Sequence, residues 1–172
     1  FKDGRLDEET PVAPRSRKGE IRARVARLYV DAHQRGDAPV VIGRASDFYG
    51  PPGTQTHVGD QFWPGVLAGK TGRVAVDPDA VHTYHYIPDV AAGLAALGAA
   101  PDDAFGRAWM LPCAPAGTLR ELVARFSRVL GRDIPIGTLP RWLMKALGLF
   151  APILRELDEM AYQWEGPVVV DD

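Results

Sequence analysis

Apolar residues along the chain follow two rhythms. Ile21, Val25, Leu28 and Ala32 recur at helical spacing, with Arg22, Arg24, Arg27 and Asp31 on the other faces. Ser16 fits an N-cap ahead of this helix and Gly36 a stop behind it. The run Pro39-Val40-Val41-Ile42-Gly43-Arg44 is short, apolar and bounded by turn signals, which predicts a buried strand. It leads into a loop by composition over 45–53. A short helix is expected around 60–70, then strands over 72–76 and 82–87. Pro88-Asp89 opens a second clear helix through Ala92, Leu94, Ala95 and Leu97 that ends at Gly98, with Pro in the first turn and Gly at the end. A strand is expected over 106–111. Thr118 or Gly117 caps a helix with Leu119, Leu122, Val123, Phe126 and Leu130 on one face, stopping at Gly131. A strand at 134–136, helices over 140–150 and 152–164, and a strand at 168–170 complete the pattern. Residues 1–15, polar and proline-bearing, read as a loop.

Strands alternating with helices predict an α/β fold with a mostly parallel sheet. No internal repeat interrupts that order, and no linker marks a second domain. The chain has 172 residues, 46% of them hydrophobic and 24% charged, so a packed core is expected and disorder is not. A net charge of -2 offers no general attraction to nucleic acid or to an acidic membrane. No run of eighteen apolar residues exists, so no membrane-spanning helix is expected. The single cysteine, Cys113, excludes an intrachain disulfide and fits a cytoplasmic protein. With no base near it in sequence, a buried inert thiol is expected there. No Gly-x-Gly-x-x-Gly or Gly-x-x-x-x-Gly-Lys-Ser/Thr turn is present, so these residues alone carry no visible cradle for a dinucleotide pyrophosphate.

Several residues carry possible chemistry. Lys18 stands in the first turn of the first helix, against the positive end of the helix dipole. Either a function or simple exposure tolerates it there. Asp47 reads as a turn or cap residue. On one strand His82 and His85 point to opposite faces and cannot chelate one metal together, whereas His82 and Tyr84 share a face and could line a pocket. His33 and His57 have no neighbours at ligand spacing, so no metal site is expected. Trp63 could face a substrate or another part of the protein. The aromatic residues after 139 could line a pocket or fill a core.

The order of motifs adds a resemblance. Lys18 opens an amphipathic helix. A strand follows and ends in Arg44-Ala45-Ser46-Asp47-Phe48-Tyr49-Gly50-Pro51. Tyr86-Ile87-Pro88-Asp89-Val90-Ala91 comes next, then Leu119-Arg120-Glu121-Leu122 leading to Leu130-Gly131. Together these resemble the later half of an extended short-chain dehydrogenase/reductase of the NAD-dependent epimerase/dehydratase family. The resemblance implies a single partial domain over 1–172, the second half of a doubly wound, Rossmann-like parallel sheet. About 1–111 would be the sheet-and-helix part, and about 112–166 a small, mostly helical substrate lobe. It implies an oxidoreductase segment using NAD or NADP, inactive alone, whose glycine-rich dinucleotide-binding half lies outside these residues. It also implies a small-molecule substrate such as a sugar nucleotide or another carbonyl or hydroxyl metabolite, and it admits a homo-oligomer.

By the same resemblance Lys18 would contact the nicotinamide ribose, and Arg44, Ala45 and Ser46 would lie beside the nicotinamide end. Asp47 stands where the family has asparagine near the substrate, and an anion there would disfavour a diphosphate. Trp63, His82 and Tyr84 would be substrate-side residues. The family lysine works with a tyrosine four residues earlier, one helical turn away, whose proton it helps to move. Here that position is Pro14, which cannot titrate. Tyr49 is the nearest replacement by motif order; its alternative is packing of its loop. Tyr29 is about 16 Å along the helix from Lys18 and too far to serve. The alternative function is a non-catalytic protein that binds NAD(P) or a metabolite on the same fold. A small independent α/β domain is the third reading.

Overall fold

The computed structural model describes residues 5–138, 161–164 and 166–171. The longest helix among the described residues is α1 (Arg17–Gln34). Ser16 caps it, its hydroxyl accepting the Gly19 N–H at 3.1 Å. Such a cap satisfies one of the donors that the first helical turn leaves over. Pro14 lies outside the helix, folded against its first turn, where a side chain at Gly19 would meet the Pro14 Cβ at 3.1 Å.

The strands are β1 (Arg5–Leu6), β2 (Ile42–Arg44), β3 (Asp47–Tyr49), β4 (Gly72–Val74), β5 (Val81–His82), β6 (Tyr84–Tyr86), β7 (Ala108–Met110), β8 (Gly117–Thr118), β9 (Ile136–Thr138) and β10 (Val169–Val170). Among the described residues they pair two by two. β1 with β10, β2 with β7, β3 with β6 and β4 with β9 are parallel; β5 with β8 is antiparallel. The remaining helices are α2 (Trp63–Leu67), α3 (Ile87–Gly98) and α4 (Leu119–Leu130). The expected mixture of helices and mainly parallel strands is therefore present.

α4 shows how the local sequence decides an end. The Thr118 hydroxyl accepts the Glu121 N–H at 3.1 Å, and the Glu121 carboxylate accepts the Thr118 N–H at 2.8 Å, a reciprocal capping box. Gly131, at φ 66°, closes the other end in the left-handed region that favours glycine. The buried face of α4 (Leu119, Leu122, Val123) joins Val58, Phe62, Val66, Val74, Val76 and Ile134 in one core. Phe62 lies so close to Gly72 that any side chain there would strike its ring.

Several expectations need correction. The segment 1–15 is not all loop: Arg5–Leu6 pairs with Val169–Val170, because a two-residue strand takes its identity from its partner. Asp47–Tyr49, a loop by composition, is a strand beside Tyr84–Tyr86. The strand expected over 82–87 breaks at Thr83, whose N–H goes to the Val168 carbonyl, and Ile87 already belongs to α3. The helix expected around 60–70 covers only Trp63–Leu67. The strand expected at 134–136 begins at Ile136. Where the sequence predicts a helix up to 164, Ala161–Gln163 is a 3-10 turn. The helix at 140–150 and most of the one at 152–164 lie outside the described residues.

Candidate functional site

A broad trough of about 1190 Å³ runs between α1 and the β2–β3 stretch. Ile21, Val25 and Tyr29 form its α1 wall; Val90 and Leu94 of α3 form another. Arg44, Ala45, Ser46 and Asp47 follow one another along its floor, with His82 and Trp164 at one end. Four of the residues implicated by sequence are thus adjacent here because a strand end delivers them in order.

Asp47 is the centre of the polar end. By sequence it reads as a turn or cap residue, or as facing a substrate. It belongs to β3 rather than to a turn or cap, and it lines the trough with its side chain only 15% exposed. Oδ2 accepts from His82 Nδ1 at 2.7 Å. Oδ1 faces His57 Nε2 at 3.4 Å and accepts the Trp164 indole N–H at 3.2 Å. Burial alone would raise the carboxyl, but hydrogen bonds and charge from His57 and His82 outweigh that and hold it well below the usual carboxylate range. A buried carboxylate needs such partners. With both oxygens engaged, its charge is largely answered within the chain. The like-charge argument against a diphosphate substrate loses its physical basis.

The other nitrogen of His82 lies 2.9 Å from the Gly166 carbonyl. Both ring nitrogens thus face acceptors, and both bonds hold at once only in the doubly protonated ring. His85, three residues on, is the opposite case. Its Nδ1 accepts the Ser46 N–H at 3.1 Å, so Nε2 carries the proton towards the Leu111 carbonyl at 3.0 Å. His82 and Tyr84 do share a side, with ring centroids 6.3 Å apart. Burial, and then the Asp47 charge, push the Tyr84 phenol well above its ordinary value.

The remaining candidates are not brought together. Lys18 is exposed on the first turn of α1, while Gly19 and Arg22 near it line the trough. Position 14 precedes the helix, so no residue there could share a helical face with Lys18. Tyr49 packs against Tyr86, ring centroids 5.3 Å apart, and against the core. Trp63 meets Phe62 and Phe126 edge to face and packs, partly buried, against the core. Cys113 is half-buried rather than buried. Sequence reasoning missed His57 and Trp164 as partners of Asp47, since nothing local ties them to it. Among the described residues, no group of three or more His, Cys, Asp or Glu is placed to hold a metal ion. No helix among them is long and apolar enough to cross a membrane.

Comparison with solved structures decides the fold. UDP-glucuronic acid 4-epimerase from Bacillus cereus, in complex with NAD, matches with a TM-score of 0.68 at 19% identity, over 79% of this chain and 44% of that one. A dTDP-glucose 4,6-dehydratase from Streptomyces venezuelae, with NAD bound, matches at 0.66 and 19% identity over 98% of this chain and 46% of that one. The dTDP-glucose 4,6-dehydratase of Bacillus anthracis, also in complex with NAD, matches at 0.63 and 23% identity, over 81% and 45%. The chain shares the fold of these enzymes. It spans a little under half of their length. No family model and no curated protein matches the sequence.

Proposed function

We propose that this chain forms the substrate-side half of an NAD(P)-dependent oxidoreductase of the epimerase/dehydratase kind, with a small metabolite such as a sugar nucleotide as substrate. The observation that carries this reading is the trough. Arg44, Ala45, Ser46 and Asp47 follow one another along its floor, in a fold shared with enzymes whose structures contain NAD. Its fit to a nicotinamide dinucleotide is one-sided. Apolar walls and Arg44 suit the nicotinamide end, but no glycine-rich turn among the described residues suits the pyrophosphate. The cofactor's hydride chemistry would therefore need a second α/β half. α1 supports that requirement, since it buries none of its residues.

The test uses the full-length protein. NADH and NADPH are titrated by fluorescence, and hydride exchange is followed on a panel of nucleotide sugars and simple carbonyl compounds. Binding with exchange supports the proposal. Binding without exchange supports the second reading, a non-catalytic NAD(P)- or metabolite-binding protein, which Pro14 before the helix favours. No binding to either nucleotide would remove the oxidoreductase reading and the NAD(P)-binding form of the second.

A further inference from the structure

Proline occupies position 14, so no phenol stands there to move a proton, but the chain holds an imidazole in the arrangement that proton transfer requires. We infer that His57 is the proton-accepting group of this site and that Asp47 is its positioning residue. The inference rests on the hydroxyl- or carbonyl-substrate reading above, and names the residue that would exchange the substrate's proton.

His57 does not itself line the trough but touches two residues that do, Asp47 and Trp164. Nε2 faces Asp47 Oδ1 at 3.4 Å, and the ring stands edge-on to Trp164 at 5.1 Å between centroids. The Asp47 contact is long, as hydrogen bonds in unliganded sites often are before a substrate tightens them. Facing a carboxylate, Nε2 carries the proton in the neutral ring, and Nδ1 keeps the lone pair. No hydrogen bond from the described residues reaches Nδ1. The His57 side chain is 19% exposed. A base held by a carboxylate on one nitrogen and open on the other is the general layout of an activated imidazole.

The other histidines do not offer this layout. Both nitrogens of His82 and both of His85 are engaged inside the protein. His33 accepts the Val40 N–H on Nδ1 at 3.3 Å, away from Asp47. In the inferred step, Nδ1 of His57 takes the proton of a substrate hydroxyl, and the O–H electron pair stays on oxygen. The resulting imidazolium is paired with the Asp47 carboxylate. In the reverse direction His57 would return the proton to the carbonyl oxygen while a reduced nicotinamide, the donor required by the reading above, would supply the hydride to its carbon.

Two readouts on the same protein test this. Nitrogen-15 NMR of the four histidines reports where each ring proton sits. Diethyl pyrocarbonate labelling, mapped by mass spectrometry, reports which ring is open. His57 is expected as the Nε2–H form and is labelled readily, whereas His82 and His85 resist. Asp47→Asn is expected to slow labelling of His57 severalfold and to leave His33, the internal control, unchanged. A Nδ1–H form of His57, or labelling that ignores Asp47→Asn, overturns the inference. Where hydride exchange is observed, His57→Gln should lower kcat at least a hundredfold with little change in KM, and an unchanged kcat also overturns it. Absence of exchange in the unaltered protein counts against the oxidoreductase reading alone, because the NMR and labelling results still decide the assignment of the base.

Discussion

The two sides of the molecule differ in how far this chain completes them. Around α2, β4 and α4, nine apolar residues close into a core, with Phe62, Val66, Leu119 and Val123 at 0–1% exposure. On the trough side neither α1 nor α3 buries a single residue. Ile21, Val25, Leu28 and Tyr29 of α1 remain 45–63% exposed. Both sides carry apolar residues at helical spacing, so composition does not separate them. The difference is whether the chain itself supplies the opposing surface. A stripe facing Phe62 and Val74 has found its partner within the fold; the stripe on α1 faces an open trough. Exposed apolar patches of that kind mark contact surfaces, and the second α/β half proposed above would cover this side rather than the other.

The comparison breaks most sharply at Phe62. Its ring is 1% exposed, fills the space over Gly72 and stands edge to face with Trp63. Phe62→Ala should cost about 3–5 kcal/mol by removing buried apolar surface and leaving a cavity. Urea unfolding followed by far-UV circular dichroism measures it. A loss below about 1 kcal/mol, far under that range, would mean that the closed core is not closed.

Asp47 joins the two sides, because its partners come from the loop at His57, from β5 and from the segment at Trp164. Asp47→Asn leaves the His82 ring without its carboxylate and should cost about 3 kcal/mol, in the range for breaking a buried charged pair. The pH dependence has a definite direction. The folded carboxyl is held below its unfolded value. Its contribution is thus fully present above the unfolded value, about 4, and declines as pH falls from there towards the folded value. In melts taken from neutral pH down into the acid range, the stability advantage of the unaltered protein over the Asp47→Asn variant should shrink. An advantage that grows with acid would rule out this account.

Thr118→Ala tests how much of the closed side is decided locally. Losing the capping hydroxyl should cost about 1 kcal/mol, read from the same urea curves, with α4 fraying at its first turn. That helix is fully legible in the sequence because its cap, apolar stripe and terminal glycine all lie within the short stretch 118–131. α1 is legible from its Ser16 cap and apolar spacing, and α3 from Pro88 in its first turn and its apolar run, without a side-chain cap. The polar cluster is not legible, since Asp47 meets His57, His82 and Trp164 across separations of 10, 35 and 117 residues. Residue types mark Asp47, His82 and Tyr84 as candidates; only folding shows that Asp47 is a buried junction. The strand Arg5–Leu6 is hidden for the same reason, its identity lying in Val169–Val170. Trp63, by contrast, looks like a substrate-facing side chain, because sequence does not say which aromatic will find a ring to pack against.

The smallest effect on stability is expected at Ile21 and Val25, and it sharpens the comparison most. At 50% and 45% exposure on a helix with no buried residue, both side chains lose little on truncation. Ile21→Ser with Val25→Ser should shift the stability of the described fold by about 0.5 kcal/mol or less, as surface substitutions away from packed features do. If the trough is a contact surface, the same pair of changes should act elsewhere. Two hydrophilic residues would be placed where an apolar partner surface has to be covered, so NADH or NADPH binding by the full-length protein should weaken while the urea midpoint stays put. A large drop in stability would instead mean that α1 is already packed within this chain. The contrast between the completed and the open side would then be lost.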